Sequence, residues 1–359
     1  MVGMTQTGPL NEPTLITSFR GFSRKFGGHL DQSYGEHRYL PYAVEGFFWN
    51  GGQRVYVTRV GVTDVGQSIT DETIIGVDDS DPSKRTGLQT LKNIDQISIV
   101  AIPNGTSQNV QNAMISHCEL MKDRFAVLDP AKNADLRQIR QQRSQYDSKY
   151  AALYYPWINV KNPFTEDVLP VPPSGHIRGI YARTDMEHGV HKAPANEMVQ
   201  GALSLERKIT KKEQDILNPL GVNCLRVFED RGIRVWGART ISSDPLWKYV
   251  NVRRLVLYLE QSIKEGTQWA VFEPHDEELW ARAKQSITQF LTRVWRDGAL
   301  MGSTTEEAFF VKCDRTTMTQ DDIDNGRLIV LIGVAPVRPA EFVTFRIAQW
   351  AGGSEITEG

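Results

Sequence analysis

The sequence predicts an α/β fold: an N-terminal domain on a parallel-rich sheet, then a C-terminal α+β domain that ends in an extended strand arm. Three observations predict it. Short apolar runs alternate with helix-like segments through the first half of the chain, as βαβ units do. A proline-rich stretch over 162–179 then breaks the alternation. At the far end, "EFVTFRIAQW" sets Val343, Phe345 and Ile347 against Thr344 and Arg346, the two-residue period of a strand.

In chain order, strands are expected at 54–60, 97–103, 125–130 and 151–158. Between the second and third, Thr106 or Ser107 can cap a helix whose apolar positions Val110, Met114 and Cys118 recur at helical spacing. A polar helix over 133–150 joins the next pair, making two consecutive βαβ crossovers. Prolines 163, 170, 172 and 173 forbid a continuous helix, so 162–179 reads as a connector. "CLRVFEDRGIRVWGART" reads as a hairpin turning at 230–232. A helix on Val252, Leu255, Val256, Leu259 and Ile263 follows, then a strand "QWAVFEP" that Pro274 ends. A second helix over 276–297 buries Trp280, Ala283, Ile287, Phe290, Leu291 and Val294, with Gly298 as its C-terminal cap. The strands "AFFVKC" and "RLIVLIGVAP" complete the C-terminal domain, the latter entered through an Asn325-Gly326 turn.

A chain of 359 residues has room for two or three domains, divided here as 1–170, 171–340 and an arm at 341–359. Its formal net charge of -2, from 41 basic and 43 acidic residues, lacks the electrostatic footprint of a nucleic-acid binder. Cys118, Cys224 and Cys313 stand apart among apolar neighbours with no CxxC spacing, as buried free thiols do. No apolar run approaches a membrane span, and "MVGMTQTGPL" has neither the basic nor the apolar region of a secretory signal. A soluble chain is expected.

Candidate chemistry is sparse. His188, His191 and Glu197 fall within ten positions, but zincin-type centres place histidines at i and i+4 on one helix face. Gly189 and Pro194 interrupt any helix here, so a packed loop is expected and no metal. Asp129 stands at the carboxyl end of a strand, where α/β enzymes often keep a working acid; Pro130 after it suggests a helix-initiating turn instead. GxxxxGK[ST], GxSxG, HExxH and a strand-linked GxGxxG do not occur, so phosphate cradles and nucleophile elbows lack their scaffolds. No catalytic residue and no cofactor is assigned.

Two features point to partners. The second C-terminal helix carries a polar stripe of Arg282, Gln285, Gln289, Arg293 and Arg296. It is either a solvated face or a row of guanidinium forks for an acidic surface. The last strand either pairs locally with "RLIVLIGVAP" or joins the sheet of another subunit by β-augmentation. Each main-chain bond nets about 0.5–1.5 kcal/mol, so one arm is a modest tether that many copies would multiply.

The segments "GPLNEPTLITSF", "PPSGHIRGIYARTDMEHGVHKAPANE", "CLRVFEDRGIRVWGART", "WKYVNVRRLVLYLEQSI" and "DIDNGRLIVLIGVAPVRPAEFVTFRI", with their spacing, resemble contractile tail sheath proteins. That family serves phage tails, R-type pyocins and extracellular contractile injection systems. The compact length is most similar to sheaths of the antifeeding-prophage and Photorhabdus virulence cassette type. The resemblance implies a non-enzymatic subunit that polymerises in six-fold rings around an inner tube and contracts to drive it through a target envelope. Its partners would be further copies of itself, the tube, the baseplate and a terminal cap, with no nucleic acid or membrane. Assembly would take place in the bacterial cytoplasm, before release in a virion tail or extracellular particle. The intersubunit arm would comprise Glu341, Phe342, Val343, Thr344, Phe345, Arg346, Ile347, Ala348, Gln349 and Trp350. Arg282, Gln289, Arg293 and Arg296 would be candidate tube contacts. Family members usually carry an extended N-terminal arm ahead of the point where this sequence opens, and weaker polymerisation is expected without it. An α/β enzyme with an unrecognised site, and a ring-forming tail or baseplate adaptor, are the alternatives.

Overall fold

The computed structural model describes residues 1–61, 69–342, 349–351 and 354–356. Strands β1 (Val2–Gly3), β2 (Thr14–Ile16) and β3 (Val55–Arg59) form a small sheet in the order β1-β3-β2, with β1 parallel to β3 and β2 antiparallel. The strand expected at 54–60 is therefore present, but it sits outside the central sheet. Helices α1 (Phe19–Phe26) and α2 (Leu40–Trp49) cover it, burying Phe22, Phe26, Val44 and Phe47 against Val55 and Val57. A short α3 (Asp71–Ile75) is capped by Thr70.

The two expected crossovers are present: β4 (Ile99–Val100), α4 (Gln108–Met121), β5 (Phe125–Leu128), α5 (Leu136–Arg143) and β6 (Ala151–Tyr155). All three strands are parallel. Every residue of β5 and β6 is buried, which is why they read as unbroken apolar runs: the sheet is covered on both faces. Ser107 is the cap of α4, its Oγ accepting from Val110 N. The helix expected over 133–150 is shorter. It starts at an Asp135–Gln138 capping box and stops at Arg143, whose guanidinium donates to the carbonyls of Tyr146 and Ile241 and pins the turn.

The largest corrections fall next. The stretch 162–179 is no connector. After Pro156, β7 (Ile158–Lys161) pairs antiparallel with β8 (Val168–Val171), and α6 (Ser174–His188) begins directly behind Pro172 and Pro173. Proline is tolerated at a helix start, where the N–H would have no partner anyway. Pro170 sits in β8, at the edge of the sheet β8-β7-β9 that β9 (Ser204–Leu205) completes, where no ladder donor is needed. Helix α6 packs on α2 with almost no side chain between: a Cβ on Gly175 would lie 2.4 Å from Ala43, one on Gly179 2.4 Å from the Phe47 carbonyl, and one on Gly46 2.2 Å from the His176 ring.

Helix α7 (Lys211–Leu217) leads to β10 (Val222–Phe228) and β11 (Gly232–Trp236), the expected hairpin, with Asp230 and Gly232 at positive φ. β10 also pairs in parallel with β6. The hairpin thus extends the central sheet to five strands, β11-β10-β6-β5-β4, and the main core runs from Val2 to Leu257.

Helix α8 (Val250–Gly266) buries Val250 and Leu257 in that core. Its Leu255 and Leu259 face a second cluster, with Ile287, Leu291 and Val294 of α9 (Glu277–Arg296). α9 spans the expected residues, capped by Asp276. The strand expected at 268–274 is absent: the chain makes a 3-10 turn at Gln268–Ala270, and Phe272 takes φ 67, incompatible with extension. Beyond α9, α10 (Thr305–Ala308) and β12 (Phe309–Lys312) precede α11 (Gln320–Asp324) and β13 (Leu331–Val334). β12 and β13 pair antiparallel as a two-stranded ribbon. The described tail holds β14 (Gln349–Ala351) paired with β15 (Ser354–Ile356). All three cysteines are free and buried, and no helix among the described residues is long and apolar enough to cross a membrane.

Candidate functional site

Asp129 lies fully buried at the end of β5. Its Oδ1 accepts from Ser174 N at 2.9 Å, and its Oδ2 from Ser174 Oγ at 2.7 Å and Asn104 N at 3.1 Å. Burial pushes its carboxyl up to about 7 against the pull of these bonds. Every contact is to a helix start or a loop amide, so the group seats α6 on the sheet.

The His188–Glu197 stretch is a tied loop. His188 ends α6 and Gly189 caps it at φ 86. The Glu197 carboxylate is held by cations, Lys192 Nζ at 3.0 Å and Arg183 at 3.6 Å, and Lys192 also donates to the carbonyls of Ala193 and Ala195. Among the described residues, no three His, Cys, Asp or Glu side chains gather as a metal centre requires. The same loop lies along the outer edge of β11. Asn196 N donates to the Val235 carbonyl (2.8 Å), Val235 N to that of Glu197 (3.0 Å) and Val199 N to that of Ile233 (2.9 Å). Those bonds close the edge of the five-stranded sheet, a position that otherwise recruits foreign strands.

The chain leaving β13 behaves differently. As a strap it returns to the body: Val337 N donates to the Ala299 carbonyl, and Asn251 Nδ2 to that of Val337. It then reaches Glu341, the first residue of the expected arm. Arg239 grips this carboxylate bidentately, Nε to Oε1 at 2.7 Å and Nη2 to Oε2 at 2.6 Å. Asn218 Nδ2 donates to Oε1 at 2.7 Å and Tyr249 Oη to Oε2 at 3.1 Å, with Lys248 Nζ 3.7 Å away. Burial pushes the Glu341 carboxyl up, but the donors from Arg239, Asn218 and Tyr249 more than offset it and hold it below the usual glutamate range. Phe342, one residue on, is 69% exposed. Residues 343–348 of the expected arm lie outside the described residues, and Gln349 and Trp350 fall in β14. An open cleft of about 1080 Å³ runs beside the strap, walled by Asn218, Arg226, Trp236, Tyr249 and residues 337–342.

The β12–β13 ribbon has no further strand beside it among the described residues. Phe310 and Leu331 are about half exposed on it, and Gly333 lets the Phe310 ring lie across the pair, where a Cβ would come within 2.1 Å of it. Two strands alone are marginal in water. On α9, Arg282, Gln285, Gln289, Arg293 and Arg296 are all exposed on one stripe; Arg282 stacks over Trp269 at 4.6 Å and pairs with Glu273 at 3.6 Å. The partners of Glu341 escaped sequence reasoning because they come from three places between 218 and 249 with no common spacing. The one available signal was a glutamate interrupting the apolar positions ahead of the last strand.

Two family models match this chain: the phage tail sheath protein central domain over residues 86–241 and the phage tail sheath C-terminal domain over residues 242–349. A prophage major tail sheath protein of Pseudomonas aeruginosa strain UCBPP-PA14 is 28% identical over 95% of this chain and 87% of its own length. A chain in the cryo-EM structure of the anti-feeding prophage baseplate is 32% identical, with a TM-score of 0.81, covering 98% of this chain and 92% of that one. The sheath complex of an extracellular contractile injection system, PVC, in its contracted state, is 28% identical, with a TM-score of 0.80, covering 97% and 90%.

Proposed function

The chain belongs to the phage tail sheath family and is a non-enzymatic, structural subunit of a contractile sheath, and we propose that its action resides in a polymer stitched together by its C-terminal strand. Copies stack in six-fold rings around an inner tube and associate with a baseplate, and a terminal cap closes the far end. The sheath assembles extended in the bacterial cytoplasm and contracts after release, driving the tube through a target envelope. The C-terminal lobe carrying α9 faces the tube, the body lies outside, and 341–359 reach into the next subunit. Contraction exchanges one set of packed interfaces for a larger one, as bistable rigid-body transitions do, which accords with a sequence free of nucleotide-binding motifs.

The observation that carries the strand linkage is the β12–β13 ribbon, a sheet that no third strand joins among the described residues, although a bridge between Leu300 and Pro336 lies just beyond β13. An incoming strand would add main-chain bonds to it. The α9 stripe is the candidate tube contact. The test compares the full chain with one ending at Phe342, by sedimentation and negative-stain microscopy. Loss of helical tubes in the shortened chain is expected; tubes of normal length from it would refute the linkage.

A further inference from the structure

We infer that Glu341 is the fixed root of the arm, a positioning residue that holds the strap to the body so that only the residues after it are free to engage a neighbour. The inference deepens the strand-linkage reading above and rests on it. A flexible tether transmits force poorly, and its effective concentration at the receiving sheet depends on where its base is held. Here the base is held from three elements: Arg239 leaves the end of the β10–β11 hairpin, Asn218 ends α7, and Lys248 and Tyr249 open α8. Glu341 and Arg239 side chains are only 15% and 9% exposed, and the pairing is the bidentate fork that gives guanidinium–carboxylate contacts their directionality. The change from this enclosed carboxylate to the largely exposed Phe342 occurs within one residue.

The geometry also gives the cluster a mechanical sense. The strap links the lobe carrying the ribbon to the side of the five-stranded sheet, since Arg239 follows β11 by three residues. Tension on the arm therefore loads the central sheet through Glu341 and Arg239 and bypasses the ribbon of the same subunit, leaving that ribbon undisturbed while it holds another copy's strand.

The experiment uses the full chain with two spin labels, on Phe342→Cys and on the exposed Gln141→Cys of α5; the native cysteines are buried and silent. With Glu341 intact, a narrow distance distribution is expected. Glu341→Gln, which removes the charge and keeps the shape, should broaden it and lower the yield of pelletable sheath roughly tenfold or more, the scale of breaking a buried, hydrogen-bonded charge pair. Should this variant fail to fold, as judged by its melting temperature, Tyr249→Phe removes a single donor and should broaden the distribution with a smaller loss of sheath. A distribution as narrow as the parent's in the folded variant, or sheath yield unchanged despite broadening, would overturn the inference. The chain ending at Phe342 separates the two ideas: if it still forms tubes, the strand linkage is what failed; if it forms none while Glu341→Gln assembles normally, the linkage stands and the anchor falls.

Discussion

The body and the C-terminal lobe are built on opposite principles. In the body, the core is continuous from Val2 to Leu257, two helices touch through glycines, and the outer edge of β11 is closed by the 196–199 loop. In the lobe, two small clusters share α9 between them and the ribbon has only two strands. The contrast separates a body whose sheet edge is covered by its own chain from a lobe whose sheet is a two-stranded fragment, the place where the proposed strand linkage would act.

Breaking the body should have the largest effect. Gly179→Val would drive a branched side chain into the Phe47 carbonyl and the Asn50 Cβ, and overpacking without room to shift costs about 3 kcal/mol or more. Urea unfolding of the unassembled subunit should show the loss, whereas a variant within about 0.5 kcal/mol of the parent would mean that the crossing is looser than its glycines imply.

Acid sharpens the same comparison. Burial holds both His117 and His176 down at about 3, with Arg124 adding to the effect at His117, and both belong to the body. A depressed pKa contributes stability that is full above the unfolded value near 6.5 and is lost as pH falls towards 3, because the unfolded chain binds the proton first. Asp129 has the opposite sign: raised to about 7, it favours the folded state most at low pH and loses that contribution as pH rises from about 4 to 7. The melting temperature should therefore fall on acidification below about pH 6, and Asp129→Asn should steepen the fall by removing a group that opposes it. Hydrogen exchange should report the loss in α4 and α6 before α9.

The smallest effect on stability should come from Arg293→Glu. The residue is exposed on α9, so the subunit should unfold within about 0.5 kcal/mol of the parent. Co-sedimentation with tube protein should nevertheless weaken; unchanged assembly and unchanged tube binding would identify the stripe as a solvated face.

Burial explains which parts were legible in the sequence. β5, α4 and β6 could be read because a sheet covered on both faces leaves plain apolar runs and because Ser107 is a strong cap. α6 was hidden by the residues that make it work: Pro172 and Pro173 look like breakers but stand at the start, and Gly175 and Gly179 look weak but permit contact with α2. The false strand at 268–274 shows that an apolar run means little without a neighbour to pair with. The parallel pairing of β10 with β6 is a long-range contact that no local pattern announces. The grip of Glu341 on Arg239, Asn218 and Tyr249 left no local pattern either.

The loop that lies along β11 has a consequence for life before assembly. A newly made subunit, surrounded by identical copies, cannot zip onto them through its largest sheet on that side, since Asn196, Glu197 and Val199 already occupy the edge. Growth is thereby steered away from amorphous clumping and toward an ordered lattice, whose joints are few and alike.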